Sequence, residues 1–271
     1  NDTVGGIPVS ITYCPLCNSA VTYRRTIDGV ETTFGTSGRL FASALVMYDR
    51  ATESLWTHFD GRAVVGVLTG RTLEPVPSPL LSWADFKAAH PDGKVLDRDA
   101  TGWDRSYGTN PYAGYDDPEA EPFLFRGRVD DRAAAMRRVV GVALGDTTAA
   151  WPLDALADGA ASASNTGLGG APLVILWKAG QSSALDRSEV AAGTDVGSVG
   201  VFDPTVGGRR LSFTAADDGT FTDDETGTRW DVTGTAIEGD LAGTRLERIP
   251  HLDTFWFAWS TYRPGTTLET P

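Results

Sequence analysis

Short runs of alternating apolar and polar residues follow one another along the chain, separated by Gly, Pro, Asn and Asp. These runs are rich in β-branched and aromatic side chains, which is typical of strands; examples are VSITY, AVTYRR, ALVMYD, AVVGVL and PLVILW. An Asp-Gly pair at Asp28–Gly29, between strand-like flanks, predicts a tight hairpin. The pattern predicts a mainly β protein with few, short helices.

Helical patterns occur in three places. The segment Ser82–His90 begins with a capping serine and ends before a proline, so it predicts a short helix. The segments Asp130–Arg138 and Pro152–Leu156 are the other two predicted helices.

An internal repeat organises the chain. Asn1–Tyr13 matches Asn165–Trp177, and Gly61–Pro77 matches Gly234–Pro250. Three shorter matches lie between or after these in the same order, the last of them pairing WADFKAAHP with WFAWSTYRP. Self-similarity in conserved order indicates duplication. We therefore interpret the chain as two homologous β-rich halves that form an internal duplication.

The repeat also predicts the domain organisation. Residues 1–96 form the first β-rich repeat, residues 97–138 an ordered crossover, and residues 139–271 the second repeat. The second repeat has a lead-in, residues 139–159, which has no counterpart before Asn1. We expect the first repeat to be truncated at its N-terminus, so that a missing upstream segment or a protein partner completes it.

The two halves differ in their soft and titratable side chains. Residues that both halves share, such as Asp49 and its match Asp223, are interpreted as turn-forming. Cysteine, methionine and histidine are instead concentrated in the first half, where Cys14, Cys17, Met47 and His58 fall opposite Lys178, Gln181, Phe221 and Val232. Because the second half lacks these groups, they are candidates for chemistry. We also expect the cysteine-bearing hairpin to recur, without thiols, at LWKAGQSSALDR.

Cys14 and Cys17 are the only cysteines, in the motif TYCPLCNSAVTY. The residues after Cys17 alternate like a strand, so the pair is predicted on a turn between two antiparallel strands. A thioredoxin-type pair lies instead at the start of a helix. Three hypotheses stay open from the residues alone: a redox dithiol or disulfide, a soft-metal site, and a structural disulfide or inert buried thiols.

Each hypothesis assigns residues to the site. For redox chemistry, Cys14 is the catalytic nucleophile and Cys17 the resolving thiol, with supporting residues Tyr48, Asp49 and Arg50. For a metal, the ligand set mixes thiolates with softer donors and suits copper better than zinc; it consists of Cys14, Cys17, Met47 and His58. The alternative function is a non-enzymatic surface or assembly module in which the cysteine pair staples a hairpin.

The composition is acidic, with a formal net charge of −13. Nucleic acid is not an expected partner, because no basic stripe is available to displace phosphate counterions. The charge and the scarcity of lysine predict a halophilic archaeon or a high-GC prokaryote as the source. No apolar run reaches the length of about 18 residues that a membrane-spanning helix needs.

The motif TYCPLC, followed by MYDR and SLW, resembles the domain-of-unknown-function family 3179. The resemblance extends over nearly the whole chain. It implies an exported, extracytoplasmic protein, and some members are described as selenoproteins, which favours redox chemistry. Position 58 is often Gln in the family, so His58 departs from its pattern. The resemblance carries no established activity.

Overall fold

The protein is represented by a computed structural model that describes residues 1–270. Strands dominate this range and the helices are short, which confirms the predicted mainly β class. The strands before the first helix are β1 Asp2–Val4, β2 Ile7–Cys14, β3 Ser19–Arg24, β4 Thr26–Ile27, β5 Val30–Glu31, β6 Phe34–Phe41, β7 Ala44–Asp49, β8 Leu55–Thr57 and β9 Ala63–Val65.

The remaining elements follow in chain order: α1 Trp83–Ala89, β10 Arg138–Leu144, β11 Thr147–Pro152, α2 Leu153–Leu156, β12 Ala161–Leu168, β13 Ala171–Lys178, β14 Ser198–Asp203, β15 Thr205–Val206, β16 Arg209–Arg210, β17 Phe213–Ala215, β18 Phe221–Asp223, β19 Arg229–Trp230, β20 Ala236–Glu238, β21 Glu247–Arg248, β22 His251–Phe255, α3 Trp256–Tyr262 and β23 Thr267–Leu268. Short 3-10 turns lie at Asp99–Thr101 and Val190–Ala192. No helix within residues 1–270 is both long and apolar enough to cross a membrane.

Two of the predicted helices are confirmed. The hydroxyl of Ser82 caps α1 by accepting the backbone N–H of Asp85 at 3.0 Å, and α2 lies within the predicted Pro152–Leu156. The helix predicted at Asp130–Arg138 is wrong, because this segment forms turns that lead into β10. Its carbonyl oxygens accept hydrogen bonds from the first turn of α3 instead of closing helical turns.

The chain packs into two compact units, each assembled from separate segments. Unit 1 contains Asn1–Pro79, Pro118–Pro152 and Pro250–Thr270; unit 2 contains Leu80–Asp117 and Leu153–Ile249. The predicted repeat boundaries concern homology rather than packing, so they stay a prediction.

Unit 1 is built from three main sheets. Their strand orders are β1-β2-β3, β6-β7-β8-β9 and β22-β10-β11-β23, and all pairs are antiparallel except β11–β23. The predicted Asp-Gly hairpin is confirmed as β4–β5, with Asp28 and Gly29 at φ 49° and 81°. An apolar cluster between the sheets contains Val21, Tyr23, Phe34, Met47, Trp56, Ala63 and Leu73.

Unit 2 has two four-stranded sheets, β12-β13-β14-β21 and β17-β18-β19-β20, and the hairpin β15–β16. Its apolar cluster includes Leu176, Phe202, Phe213, Trp230 and Val232. The predicted recurrence of the cysteine hairpin is wrong here. Lys178, at the end of β13, pairs with Ser198 across a long connection over residues 179–197. The carboxylate of Asp195 holds this connection by accepting backbone N–H groups of Gly180 and Gln181.

Several local arrangements recur at positions that the repeat matches. The amide of Asn1 bridges the backbone of Phe34, and that of Asn165 bridges the backbone of Phe213, over 2.7–2.9 Å in each case. These matches agree with the interpretation as a duplication, which itself stays a prediction.

Candidate thiol site

A tight turn carries the two cysteines. β2 ends at Cys14, β3 begins at Ser19, and the two residues pair directly across the hairpin. The N–H of Asn18 closes the turn on the carbonyl oxygen of Pro15 at 3.2 Å. Asn18 has φ 47°, a left-handed conformation that asparagine tolerates well. The predicted placement of the pair, on a turn between antiparallel strands, is confirmed.

The two thiols lie together inside unit 1. They are 3.5 Å apart without forming a disulfide. Cys14 is 3% exposed and Cys17 is fully buried. The permanent staple required by the alternative function is therefore not formed in this structure.

The surroundings of the two thiols shift their acidities in opposite directions. The pKa of Cys14 is lowered to about 6, first by a hydrogen bond from Cys17 and then, against the cost of burial, by backbone N–H groups of Leu45, Cys17 and Leu16. Burial, followed by its hydrogen bond to Cys14, raises the pKa of Cys17 well above its usual value. Near neutral pH, Cys14 is consequently favoured as the thiolate and Cys17 as the thiol.

A row of polar side chains leads away from Cys17. Its sulfur lies 2.9 Å from the hydroxyl of Ser19, and that hydroxyl lies 2.9 Å from Nε2 of His58. Nδ1 of His58 lies 2.8 Å from the hydroxyl of Thr12. Burial lowers the pKa of His58 to about 4, so its ring is neutral near pH 7.

Strand β22 clamps the turn from its other side. The carbonyl oxygen of Cys17 accepts the Thr254 hydroxyl at 2.6 Å and the Phe255 N–H at 3.2 Å. The side chain of Asn18 lies 3.3 Å from the carboxylate of Asp253, which in turn pairs with Arg138 at 2.5 Å in a largely buried ion pair. These contacts hold the turn at Cys17 and Asn18 in place.

A family model described as "Protein of unknown function (DUF3179)" matches residues 1–266. The chain belongs to the DUF3179 family. The resemblance inferred from the cysteine motif is thereby confirmed. No curated protein and no solved structure matches the chain significantly.

The hairpin β6–β7 borders the thiols in the DUF3179 chain. Leu45 of this hairpin supplies an N–H to Cys14, and Ala42 and Ser43 at its tip have positive φ values of 47° and 63°. The tip lines a groove of about 580 Å³. Nearby, the hydroxyl of Tyr262 donates to the carbonyl oxygen of Phe41 at 2.8 Å. A partner that reaches Cys14 has to displace some of the residues that bury this thiol, because it is nearly inaccessible.

The predicted supporting residues make contacts that build the fold of the DUF3179 chain. The carboxylate of Asp49 accepts the indole N–H of Trp56 at 2.9 Å and two hydrogen bonds from Thr52. Arg50 donates to the carbonyl oxygen of Phe34 at 2.7 Å and lies over the ring of Tyr48. Their predicted role around the thiols stays a prediction.

The predicted metal ligands are brought together only in part. His58 is linked to Cys17 through Ser19, whereas Met47 packs in the apolar cluster beside Trp56. Within residues 1–270, no three His, Cys, Asp or Glu side chains form a group that could hold a metal ion. A copper or zinc site stays a prediction without support from a third ligand.

Sequence reasoning did not find four groups that shape the site: Thr12, Ser19, Leu45 and Asp253. A serine or threonine inside a strand carries no chemical signal on its own. The sequence offered one usable signal, Asp253, which is an acidic residue in an otherwise uncharged segment. A charge buried with such a segment needs a partner, so Asp253 predicts a buried polar contact.

Proposed function

We propose that Cys14 and Cys17 form a redox-active dithiol that exchanges with disulfides of other molecules. The observation that carries this proposal is the pair of unbonded thiols 3.5 Å apart, in which Cys14 accepts hydrogen bonds from Cys17 and from backbone N–H groups while Cys17 is fully buried. This arrangement lowers the pKa of Cys14 and raises that of Cys17. Exchange needs one thiolate that attacks and a second thiol that stays protonated until it is needed. The pair meets both needs at neutral pH.

The reaction proceeds in two steps. The Cys14 thiolate attacks one sulfur of a partner disulfide, which releases the other sulfur as a thiolate and leaves a mixed disulfide. Cys17 loses its proton and attacks the Cys14 sulfur, forming the Cys14–Cys17 disulfide and releasing the second partner sulfur. The dithiol is oxidised by two electrons and the partner disulfide is reduced.

Unit 2 contains a comparable strand pair without thiols, and this supports a chemical role for the cysteines over a stapling role. In unit 2, Lys178 pairs with Ser198 across β13–β14 in the register that Cys14 and Ser19 have across β2–β3. Lys178 forms an ion pair with Asp85, and Ser198 also donates to Asp85. A strand pair of this kind is thus held without sulfur.

The proposal includes a location outside the cytoplasm. Disulfides persist in oxidising compartments and are rare in the cytosol, so a protein exchanging with them has most partners there. Fractionation of cells expressing the natural gene, followed by detection of the protein, tests this part separately.

Equilibration of the reduced protein with glutathione buffers tests the chemistry. We expect reversible formation of a Cys14–Cys17 disulfide, measured by alkylating the remaining thiols and weighing the protein. Cys14→Ser abolishes exchange, and Cys17→Ser stops it at the mixed disulfide with glutathione, because the resolving thiol is gone.

Two controls accompany this experiment. One is reduced wild-type protein kept without oxidant, and the other is elemental analysis of the protein for copper and zinc. Thiols that stay fully reduced in oxidised glutathione would refute the redox proposal. A stoichiometric metal that disappears in Cys14→Ser would support the soft-metal prediction in its place.

A further inference from the structure

Strand β6 lies at the edge of its sheet and pairs with β7 alone. The two-residue turn Ala42–Ser43 joins these strands, so the residues on either side of it, Phe41 and Ala44, form a hydrogen-bonded pair. Bonded and non-bonded pairs alternate along antiparallel strands, so the next pair, Leu40 and Leu45, shares no backbone hydrogen bond. The N–H and C=O of Leu40 therefore face the open edge of β6.

The backbone of Leu45 agrees with this register, because it bonds on the side away from β6. Its carbonyl oxygen accepts the N–H of His58 at 3.0 Å, and its own N–H is the one that reaches Cys14. One pair of facing residues thus links the thiol site with the edge of the sheet. The backbone of Leu45 points to the thiol, and that of Leu40 points to the open edge.

The first residue of β6 shows which chemical group fits this edge. The N–H and C=O of Phe34 are both bonded to the side-chain amide of Asn1, at 2.7 and 2.8 Å. A side-chain amide has the same kinds of donor and acceptor as a peptide group. Within residues 1–270, no side chain bonds to the backbone of Leu40 in this way, and this residue is 40% exposed. The main chain of another molecule can therefore bond to Leu40 as Asn1 bonds to Phe34.

Unit 2 contains a comparable sheet without the extended edge. β6 begins with Phe34 paired to Asp49. β17 begins in the same way, with Phe213 paired to Asp223. However, β17 ends after three residues, whereas β6 continues for eight. The additional length is not needed to build the sheet, and it makes β6 a long exposed edge strand, which is a template for pairing with another chain.

The groove beside this edge has a largely apolar lining. Leu40 of β6 and Leu124 of a separate segment line it, and they are 40% and 54% exposed. Their neighbours Phe41 and Phe123 are exposed to a similar degree. The hydroxyl of Ser43 donates to the carbonyl oxygen of Phe123, which holds the two segments together. Apolar side chains of a bound strand can thus be buried in this groove.

Arg126 gives the groove a positive charge. Its side chain is exposed, and no acidic residue is among the described residues that line the groove. The whole chain has a net charge of −13, so this positive charge is a local exception. It favours a partner that carries a carboxylate at this place. A second copy of the chain is a poor partner, because two strongly negative molecules repel each other.

We propose that the disulfide substrate of Cys14 is carried by an extended polypeptide segment that adds to the open edge of β6 as a new strand. The inference rests on the proposed dithiol function. The segment bonds to the backbone of Leu40, places apolar side chains in the groove and pairs an acidic side chain with Arg126. β6 ends at the turn that leads to Leu45, whose N–H reaches Cys14. A docked segment therefore holds its disulfide on the side of the thiol site that this hairpin borders.

A reactive peptide tests this inference. The probe is an eight-residue peptide, as long as β6, with alternating valine and threonine, one glutamate, and a terminal cysteine bonded to nitrothiobenzoate. Attack by Cys14 on the peptide sulfur releases nitrothiobenzoate, which is measured by absorbance. A control peptide has the same sequence with N-methyl groups that block its backbone donors. We expect the unmodified peptide to react about tenfold faster, because docking raises the effective concentration of its disulfide.

Two variants test the docking surface. Leu40→Pro removes the outward N–H and leaves the β6–β7 hydrogen bonds in place, and edge strands accept proline at such positions. Arg126→Glu reverses the charge of the groove. Each should slow the unmodified peptide towards the rate of the N-methylated one. Neither should change the rate with dithiobis-nitrobenzoate, which has the same leaving group but no main chain.

Arg210→Glu is the matched control, because it makes the same charge change on an exposed hairpin of unit 2. It should leave both rates unchanged. The N-methylated peptide tests the strand hydrogen bonds from the partner's side, whether or not Leu40→Pro folds.

The outcomes distinguish the two proposals. Failure of dithiobis-nitrobenzoate to react with the reduced wild-type protein would overturn the dithiol function and this inference with it. A normal reaction with dithiobis-nitrobenzoate, with equal rates for the two peptides, would overturn strand addition alone. A wild-type dimer that Leu40→Pro dissociates, seen by analytical ultracentrifugation, would also overturn it, because a second copy of the chain would then occupy the edge.

Discussion

At the residue scale, two chemically identical side chains receive different roles from their neighbours. Cys14 collects hydrogen-bond donors, namely the thiol of Cys17 and backbone N–H groups such as that of Leu45. Cys17 is fully buried and has the hydroxyl of Ser19 as its side-chain neighbour on the far side. Two cysteines only three positions apart therefore lie in different environments. That of Cys14 favours the thiolate, and that of Cys17 favours the protonated thiol.

This difference predicts the pH dependence of alkylation. The rate of iodoacetamide modification at Cys14 should rise with a midpoint near pH 6, measured by mass spectrometry of quenched samples. Cys17→Ala should move the midpoint upward because the largest stabilising donor is lost. Cys17→Ser, which keeps a donor, should move it less. Midpoints in both variants that equal the wild-type midpoint would show that Cys17 does not stabilise the Cys14 thiolate.

Buried His58 predicts a loss of stability in acid. Its pKa falls from 6.5 in a free side chain to about 4 in the fold, so between these values the unfolded chain binds a proton that the folded chain does not. Its contribution to stability is present above pH 6.5 and is lost as the pH falls to 4. The linkage amounts to about 3 kcal/mol.

Urea unfolding between pH 7 and pH 4 measures this loss of folding stability. Wild-type stability should fall more steeply than that of His58→Gln, which has no proton to gain at this position. Parallel curves for the two proteins would show that the ring is already protonated, or exposed, in the folded state.

At this scale the sequence predicted the reactive cysteines but not the side chains that contact them. The cysteine pair and its turn were predictable because the motif and the alternation after Cys17 are local. The roles of Ser19 and Thr12 were not, because a hydroxyl in a strand gains chemical meaning only when the fold places an imidazole beside it.

At the element scale, both units use one type of turn to hold a buried tryptophan. In β7–β8, Asp49 accepts the indole N–H of Trp56, and in β18–β19, Asp223 accepts that of Trp230, each at 2.9 Å. Both carboxylates are nearly fully buried. The matched geometry explains why these residues occur in both halves.

The matched turns predict that Asp49 is structural. Asp49→Ala and Asp223→Ala should each lower the free energy of unfolding by about 2–3 kcal/mol, since each leaves a buried indole N–H without its acceptor. Chemical denaturation of the two variants gives these values, and Asp223→Ala serves as the counterpart outside the thiol unit. A specific loss of disulfide exchange in folded Asp49→Ala would instead restore its predicted supporting role.

Local sequence patterns predicted an element only where its side chains favour the conformation that its backbone adopts. The helix α1 was predictable from its serine cap, whereas α3 was missed because its sequence, WFAWSTY, is rich in aromatic residues that favour strands. Its alignment with the α1 segment was the available signal. The long connection over residues 179–197 was missed because the repeat match at its start is stronger than any turn signal within it.

At the scale of the whole molecule, the net charge of −13 is the dominant property. Like charges repel more strongly in a compact chain than in an unfolded one, and salt shortens the screening length from about 10 Å at 0.1 M to about 3 Å at 1 M. We therefore expect sodium chloride to stabilise the folded state.

Thermal unfolding at 0.1 M and 2 M sodium chloride tests this expectation. The midpoint should rise with salt, by about 2–4 °C for each kcal/mol of repulsion relieved. Proteins of similar size and near-zero net charge provide the comparison for nonspecific salt effects. A midpoint that is flat or falls with salt would contradict the halophilic interpretation.

The mainly β class was predictable from composition and alternation, but the grouping of segments into units was not. Local patterns reveal strands, whereas the pairing of β10 with β22 joins segments more than a hundred residues apart through contacts that leave no local trace.

The discontinuous make-up of unit 1 has a consequence for synthesis of the chain. The turn at Cys17 is clamped by Thr254 and Phe255, which leave the ribosome long after the cysteines do. A nascent chain thus lacks this clamp through most of its elongation, although the groups that lower the Cys14 pKa, Cys17, Leu45 and Leu16, are made early. Oxidants or disulfide-forming catalysts met during this interval act on a turn that β22 does not yet hold in place.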